Sequence, residues 1–176
     1  MRIPVKSGRI FWRHYRRVPL HKCPYPRRDW LLDRGSLTKR LIEVSRGDFR
    51  VHIHRQCWAR PHLDERRLLN MPQGQYALIR EVELICNGEV WVSARSIIPL
   101  STLTGAEKQL ARLGERPLGA FLFKAKTMRR GPLQIASIKP GARQLADEQI
   151  SARRSVFYVH GKAILVSEFF LAPVFK

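Results

Sequence analysis

Apolar and polar residues alternate along residues 76–86 and 89–98, and these two stretches flank an Asn-Gly pair. The pattern predicts a β-hairpin closed by a two-residue type I′ loop, because Asn and Gly both accept the positive φ that this loop requires. Direct pairing back from the loop places Arg80 opposite Arg95 on one face. The same face carries five apolar side chains and is predicted to be buried: Leu78, Val82, Leu84, Trp91 and Ile97.

Two opposed arginines on an apolar face need a counter-charge, since like charges destabilise a strand pair and the guanidinium group stays protonated. One interpretation is an anionic ligand that Arg80 and Arg95 hold together. The alternatives are internal carboxylates that neutralise the arginines, or a β-bulge that shifts the register and sends one of them to solvent. Glu81 and Glu83 occupy the opposite face, which is predicted to be solvated.

A second hairpin is predicted at residues 154–171, with its turn at Gly161-Lys162. Glu168 shares a strand face there with Ile164, Val166 and Phe170. A carboxylate in apolar surroundings needs a cationic partner or becomes protonated. Glu168 is therefore interpreted either as half of a structural salt bridge or as a hydrogen-bonding group or proton donor that faces the ligand of the arginines.

The whole pattern predicts an α+β domain with an antiparallel sheet of about six strands. Helices are expected at 29–41 with a break near Gly35, at 105–113 behind a Thr104–Glu107 capping box, and at 117–123. Further strands are expected at 41–44, 50–58 and 127–138, and a polar connection at 139–152. We expect helices and flaps to cover one face of the sheet and to enclose an internal ligand cavity.

Charge is unevenly distributed along the chain. The formal net charge is +19, and residues 1–28 contain nine Lys or Arg residues and no acid. We therefore separate a basic, weakly ordered N-terminal extension (1–28) from a single folded domain (29–176). Aromatic residues interleave the basic ones, so the extension could make weak contact with nucleic acid or an anionic membrane, without an obligate nucleic-acid partner. Its composition also occurs in organelle transit peptides.

Cysteine content and missing motifs limit the cellular compartments and the classes of reaction that the sequence supports. Three cysteines without C-x-x-C spacing, and the lack of a long apolar run or signal segment, favour a soluble cytoplasmic protein. Phosphate-loop, dinucleotide and zinc-peptidase motifs are absent, so these three kinds of chemistry have no support in the sequence. One cluster resembles metal ligands, but its first two members would face away from the third on a strand: His52, His54, Cys57 and His62.

An ordered set of segments covers most of residues 29–173. Its members are Asp29-Trp-Leu-Leu, Ser36-Leu-Thr-Lys-Arg40, Ile79-Arg80-Glu81, the run from Ala94 to Gly105, Leu113-Gly-Glu-Arg-Pro-Leu-Gly119, Arg153-Arg-Ser155 and Val166-Ser-Glu-Phe-Phe-Leu-Ala-Pro173. Together they resemble the chorismate pyruvate-lyase family, which converts chorismate to 4-hydroxybenzoate and pyruvate in the first committed step of ubiquinone biosynthesis. The resemblance implies a monomeric antiparallel sheet with helical flaps over a solvent-excluded site, and neither metal nor organic cofactor. The basic extension does not match the family pattern.

The resemblance also implies site residues. An arginine of the first hairpin and a glutamate of the last strand contact the ligand in the family, and these positions are Arg80 and Glu168, which we expect to be the catalytic pair. Backbone contacts fall on Leu118 and on Leu37, where the best-known members have methionine. We expect Arg95 to join these four as the second arginine of the substrate site.

The expected chemistry suits these residues, because chorismate carries two carboxylates that arginines can bind through charge-assisted hydrogen bonds. Aromatisation of the ring supplies the driving force, so positioning can supply much of the catalysis. Glu168 could hydrogen-bond the 4-hydroxyl group or protonate the departing enolpyruvyl group. The sequence leaves a stepwise elimination and a concerted transfer of the C4 hydrogen both open.

Two other functions fit parts of the sequence. The same fold type occurs as the effector-binding domain of bacterial transcription regulators, so a non-catalytic sensor of small anions is one alternative; residues 1–28 are too short for a helix-turn-helix domain. A basic nucleic-acid-binding protein is the other, and it leaves the arginines of the apolar hairpin face unexplained.

Overall fold

The computed structural model describes residues 10–138 and 150–175, and within them one antiparallel sheet is the main element. The strands are β1 (Arg13–His14), β2 (Phe49–Ala59), β3 (Ala77–Cys86), β4 (Glu89–Pro99), β5 (Arg129–Arg130), β6 (Gln134–Ile138), β7 (Ile150–Val159) and β8 (Lys162–Phe170). The helices are α1 (Arg27–Leu32), α2 (Leu37–Val44), α3 (Leu63–Leu68) and α4 (Leu118–Lys124). Short 3-10 helices span Tyr15–Arg17, Leu20–Lys22, Leu100–Thr102, Gly105–Arg112 and Ala172–Phe175. The predicted α+β class is confirmed.

The strand order is β1-β6-β7-β8-β4-β3-β2, and the two-residue strand β5 also pairs with β7. The four central strands β7, β8, β4 and β3 come from the two predicted hairpins. The hairpins lie side by side because β4 pairs with β8 over Val92–Ile97. The sheet therefore brings the middle of the first hairpin next to the middle of the second.

The β3–β4 turn is the predicted one, but the register beyond it is not. Asn87 and Gly88 have φ values of 51° and 77°, as a type I′ loop requires, and Cys86 pairs with Glu89. A bulge then inserts one extra residue into β4 between the pairs Ile85–Val90 and Leu84–Val92. From there on every β4 residue is displaced by one, which reverses the face of each side chain.

The two faces of the sheet carry different sets of residues. The registers of β3, β4 and β8 assign each residue to one face. The pocket face carries Arg80 and Val82 of β3, Ala94 and Ser96 of β4, and Val166 and Glu168 of β8. The back face carries the alternate residues: Ile79, Glu81, Arg95, Ile97, Leu165 and Ser167. The predicted face was therefore right for Trp91 and wrong for Ile97, which packs against Leu69 and Met71 on the back face.

Two apolar clusters cover the pocket face and leave a gap between them. One joins α1 and α2 to the sheet through Trp30, Leu31, Leu37, Leu41, Trp91, Val92 and Phe170. The other joins α4 and the 3-10 helix Gly105–Arg112 to the sheet through Leu110, Leu118, Leu122, Ile98, Phe157 and Val166. On the back face, Glu65 of α3 binds Arg95 of β4 and Glu83 is buried, so this face is not the fully solvated one that was predicted.

The start and end of α2 have clear local causes. The Ser36 hydroxyl accepts a hydrogen bond from the Lys39 amide and caps the helix. Gly47, at φ 93°, lets the chain turn back so that its amide reaches the Ile42 carbonyl. The strand predicted at 41–44 is therefore wrong, because these residues continue the helix and strand β2 begins only at Phe49.

Two other local predictions also differ. The Thr104 side chain makes no capping hydrogen bond, and the Glu107 carboxylate is buried and binds His160 and Lys162, so the predicted capping box is wrong. The second hairpin turns at His160-Gly161 rather than one residue later, so Val159 pairs with Lys162. Most of the polar connection predicted at 139–152 lies outside the described residues, but Ile150 already belongs to β7.

Residues 10–28, the described part of the basic extension, lie on the domain. β1 pairs with β6 through Arg13 and His14. Trp12 packs against Phe169 on the back face, and Tyr15 packs on the cluster that contains α1 and α2. Residues 1–9 of the extension lie outside the described range. Among the described residues, no helix has the length and apolar character needed to cross a bilayer.

Candidate active site

A pocket lies between the pocket face of the sheet and the helices α2 and α4, where the two apolar clusters leave their gap. Its walls come from almost every element on that side: Gly35, Leu37, Thr38, Val51, Arg80, Val82, Leu84, Ala94, Ser96, Pro117, Leu118, Gly119, Leu122, Phe123, Arg130, Arg153, Phe157, Val166 and Glu168. Four of the five predicted site residues are among them, and Arg95 is not.

Small side chains form the floor between the two predicted catalytic residues. Arg80 on β3 and Glu168 on β8 are separated by β4, which presents Ala94 and Ser96 to the pocket. The registers put the two Cα atoms two strands and two residues apart, or about 12 Å. The floor of the pocket between Arg80 and Glu168 is therefore formed by β4.

Arg80 is almost fully buried, at 1% exposure, yet its hydrogen bonds within the described part of the chain go only to neutral oxygens. Nη1 donates to Gln56 Oε1 over 3.0 Å, and Nη2 donates to the Arg116 carbonyl over 3.3 Å. Burial lowers the pKa of this guanidinium, although an arginine remains protonated at neutral pH. A buried cation with neutral partners is suited to bind an anion, because a carboxylate would complete its charge balance.

Glu168 is held by an arginine that the sequence analysis did not assign to the site. Arg153 lies opposite it on β7 and donates from Nε to Oε2 over 2.5 Å. Nη1 of Arg153 also donates to the carbonyl oxygens of Trp30 and Asp33, over 2.8 and 2.7 Å. The salt-bridge interpretation of Glu168 is therefore correct, and the same carboxylate still lines the pocket.

Arg130 is the third arginine of the pocket. Its Nε donates to Ser155 Oγ and its Nη1 to the Asp33 carbonyl, both over 3.2 Å, and the guanidinium lies 5.1 Å from the centre of the Phe157 ring. Burial, with the nearby charge of Arg153, lowers its pKa to about 10. Arg130 is thus charged at neutral pH in an environment that penalises the charge.

The charges of the pocket do not cancel. Three arginines and one glutamate are its charged lining residues, which leaves a net charge of +2. Only Arg153 has its carboxylate partner within the pocket. Because buried charges are paired or shift their pKa, the arrangement fits a ligand with two negative charges.

The prediction that Arg95 faces Arg80 is wrong, and the bulge in β4 is the reason. Arg95 lies opposite Glu81 on the back face. Its Nε and Nη2 donate to the two carboxylate oxygens of Glu65 over 2.7 and 3.1 Å, and Nη1 donates to Glu81 over 2.5 Å. Burial works against the charge of Arg95, but the two carboxylates outweigh it and raise its pKa. The alternative of internal neutralisation thus applies to Arg95 and not to Arg80.

Leu37 and Leu118 both line the pocket, and each is the first residue of a helix. Amides at this position have no partner inside their own helix, so both are suited to backbone contacts with a ligand. The two helices meet closely beside them. A Cβ atom added to Gly119 of α4 would lie 2.7 Å from Thr38 Oγ1 of α2, so only glycine permits this approach.

Arg130 and Arg153 line the pocket but were not predicted from the sequence as site residues. Arg153 belonged to a segment that carried the family resemblance, but the hairpin register derived from a Gly161-Lys162 turn did not place it opposite Glu168. Arg130 lies next to Gly131-Pro132, a pair that indicated only an interrupted strand. Among the described residues, no group of three or more His, Cys, Asp or Glu side chains is arranged to hold a metal ion.

Known proteins resemble this chain along nearly its whole length. The chorismate lyase family model matches residues 9–176. A probable chorismate pyruvate-lyase of Methylococcus capsulatus is 41% identical over 152 residues, which are 82% of this chain and 94% of the relative. Relatives with the same name from Halorhodospira halophila and Coxiella burnetii are 43% and 34% identical, over 87% and 94% of this chain and 84% and 94% of theirs.

Solved structures with a similar fold come from bacterial transcription regulators. PhnF from Mycobacterium smegmatis superimposes with a TM-score of 0.60 at 15% sequence identity, over 82% of this chain and 67% of its own. The effector domain of PhnF gives a TM-score of 0.56 at 16% identity, over 81% and 91% of the two chains. At this level of identity the likeness concerns the fold alone.

Proposed function

The chain belongs to the chorismate lyase family, and we propose that it converts chorismate to 4-hydroxybenzoate and pyruvate in the pocket between the sheet and helices α2 and α4. The family match over residues 9–176 is the observation that carries the proposal. The pocket supports it independently, since its charge and its lining suit a small aromatic or cyclohexadiene ring with carboxylate groups.

The charge of chorismate matches the charge of the pocket. Chorismate carries one carboxylate on its ring and one on the enolpyruvyl ether, and the pocket has a net charge of +2. Binding would therefore give a neutral complex in a poorly hydrated space, where an uncompensated charge is costly. The product 4-hydroxybenzoate has only one carboxylate, so it satisfies the pocket less completely than the substrate does.

We assign the ring carboxylate to Arg80. Its guanidinium is buried and bonded only to neutral oxygens, so a carboxylate would be its sole anionic partner within the described residues. The amides at the start of α2 and α4, at Leu37 and Leu118, are the backbone groups that would complete this anion site.

Glu168 accepts the 4-hydroxyl hydrogen bond in this proposal rather than acting as the acid. Oε2 already accepts a hydrogen bond from Arg153, which leaves Oε1 for the ligand. In the reaction the C3–O bond breaks, C4 loses its hydrogen, and the methylene carbon of the enolpyruvyl group gains a hydrogen to give pyruvate. A carboxylate acceptor fits concerted transfer of the C4 hydrogen to that carbon, with the protein orienting the substrate.

We place this reaction at the first committed step of ubiquinone biosynthesis, on the basis of the family resemblance. The simplest test of the activity is to incubate the purified chain with chorismate, without added metal, and to follow both products. We expect 4-hydroxybenzoate and pyruvate in equal amounts. Folded protein that forms neither product would overturn the proposed function.

A Glu168→Gln variant tests the role of the carboxylate. Glutamine keeps an acceptor oxygen but cannot donate a proton as an acid, so a concerted reaction should lose activity only moderately. A fall in kcat of more than about 10⁴-fold, the upper end for general acid–base catalysis, would argue for an acid-assisted stepwise route instead.

A sensor of small anions is the alternative that the fold likeness keeps open. Such a protein would bind chorismate or 4-hydroxybenzoate in calorimetry without turning chorismate over. Binding without product would therefore favour the sensor, and product formation would exclude it as the main role.

A further inference from the structure

Arg130 has the features of a second anion-binding group in the pocket, at the end away from Arg80. It lines the pocket, and its two hydrogen bonds go to the Ser155 hydroxyl and the Asp33 carbonyl, both neutral oxygens. Among the described residues it forms no salt bridge. In this respect it matches Arg80 and differs from Arg153, whose charge is balanced by Glu168.

The sheet registers place Arg80 and Ser155, the residue that Arg130 contacts through its side chain, at opposite ends of one row of residues. Arg80 pairs with Ser96, Ser96 with Val166, and Val166 with Ser155, which accepts the Arg130 hydrogen bond. This row spans three strand spacings, about 14 Å between the outer Cα atoms. Arg80 and Arg130 line the same cavity, and Ser96, the row neighbour of Arg80, also lines it.

Backbone contacts between β5 and β7 fix the position of Arg130. The amide of the next residue, Gly131, donates to the Val156 carbonyl over 2.8 Å, so β5 lies close against β7. A Cβ atom at Gly131 would lie only 3.2 Å from that same carbonyl oxygen. Stacking on the Phe157 ring fixes the guanidinium further. The arginine is therefore held in place before any ligand arrives.

We propose that Arg130 binds the enolpyruvyl carboxylate of chorismate and so makes the pocket specific for a dicarboxylate. The proposal rests on the proposed lyase function and adds a residue to it. Arg80 binds the carboxylate that substrate and product share, whereas Arg130 binds the one that leaves with pyruvate. Loss of Arg130 should therefore weaken substrate binding and leave product binding almost unchanged.

The test compares Arg130→Met with Arg129→Met, the exposed neighbour on the same short strand, and with Arg80→Met. KM and kcat are measured for chorismate, and Kd for 4-hydroxybenzoate by calorimetry. We expect Arg130→Met to raise the chorismate KM by about 10- to 100-fold, which corresponds to the loss of one hydrogen bond to a charged group. The Kd for 4-hydroxybenzoate should change less than about threefold. Arg129→Met should change neither the chorismate KM nor the 4-hydroxybenzoate Kd. Arg80→Met should weaken the binding of both ligands.

Wild-type protein allows a second test that does not depend on the variant folding. Chorismate esterified at the enolpyruvyl carboxylate should show a similar rise in KM with the wild-type protein. A purely structural role for Arg130 would instead lower thermal stability and weaken substrate and product equally.

Three results would overturn the proposal while the lyase function stands. They are an unchanged chorismate KM in Arg130→Met, an equal loss of affinity for both ligands, or no effect of the ester on wild-type turnover. Failure of the wild-type chain to form 4-hydroxybenzoate at all is a different result, which would count against the proposed function.

Discussion

Arg153 and Glu168 face each other on neighbouring strands, and the arginine donates from Nε to Oε2 over 2.5 Å. The same guanidinium holds two carbonyl oxygens at the end of α1, those of Trp30 and Asp33. A single buried side chain thus orients the carboxylate of the proposed site and fastens the segment that leads into α2, one wall of the pocket.

Replacement of Arg153 should therefore affect activity and stability together. Arg153→Met leaves a carboxylate and two carbonyl groups without their donor, so we expect the free energy of unfolding to fall by about 3 kcal/mol. Turnover should fall by about 100-fold, as expected for a catalytic group displaced by about 1 Å. Arg153→Lys should have a higher free energy of unfolding than Arg153→Met. It should still recover little activity, because lysine lacks the planar set of donors of the guanidinium group. Wild-type kcat in a folded Arg153→Met protein would contradict this account.

Arg95 should matter for stability and not for the ligand. Its three hydrogen bonds to Glu65 and Glu81 lie on the back face, so Arg95→Met leaves two partly buried carboxylates unpaired and should cost about 3 kcal/mol. Chemical denaturation measures this loss, and calorimetry with 4-hydroxybenzoate under native conditions should show an unchanged Kd. The double variant with Glu65→Gln should lose less than the two single changes added together. If Arg95→Met bound 4-hydroxybenzoate about tenfold more weakly and kept full stability, Arg95 would have to be counted as a site residue.

Gly119 should be required for the close contact between α2 and α4. Alanine favours a helix over glycine by about 1 kcal/mol, but its Cβ atom would lie 2.7 Å from Thr38 Oγ1. We expect Gly119→Ala to displace α4, destabilise the protein and raise the chorismate KM. Thr38→Ala in the same chain removes the clashing oxygen and should restore most of the stability. Independent, additive effects of the two changes would show that the contact is not the cause.

Glu107 links the 3-10 helix Gly105–Arg112 to the β7–β8 turn and should make stability depend on acid pH. Its hydrogen bond with Lys162 is the main reason why its pKa falls from 4.5 to about 2, although burial acts in the opposite direction. A lowered pKa means that the stabilisation is complete above about pH 4.5 and is lost as the pH falls towards 2. The difference in Tm between wild type and Glu107→Gln should therefore be largest near neutral pH and vanish by about pH 2. A difference that stayed constant from pH 6 to pH 2 would rule out this carboxylate as the cause.

The sequence predicted the hairpins better than their registers. The turn at Asn87-Gly88 was predictable because both residues accept positive φ, whereas the bulge near Trp91 has no comparable local signal. One inserted residue was enough to reverse the face of Arg95. In the second hairpin the turn residue His160 has φ 49°, which a non-glycine residue adopts rarely, so the turn was placed one residue too late and the Arg153–Glu168 pair was not found.

The site was predictable as far as the motifs of the family reached. Arg80, Glu168, Leu37 and Leu118 all line one pocket, although they come from four different elements. Arg130 could not be found in the same way, because its place depends on β5 pairing with β7 across the sheet and not on neighbours in sequence. Contacts of this kind follow from the tertiary fold alone.

The most direct measurement for the whole account is a crystal structure of the protein with 4-hydroxybenzoate. The account predicts the product over Ala94 and Ser96, with its carboxylate on Arg80 and its hydroxyl group donating to Glu168. A product molecule bound outside this pocket, or one whose carboxylate is held by Arg130 while Arg80 makes no contact with it, would contradict the account.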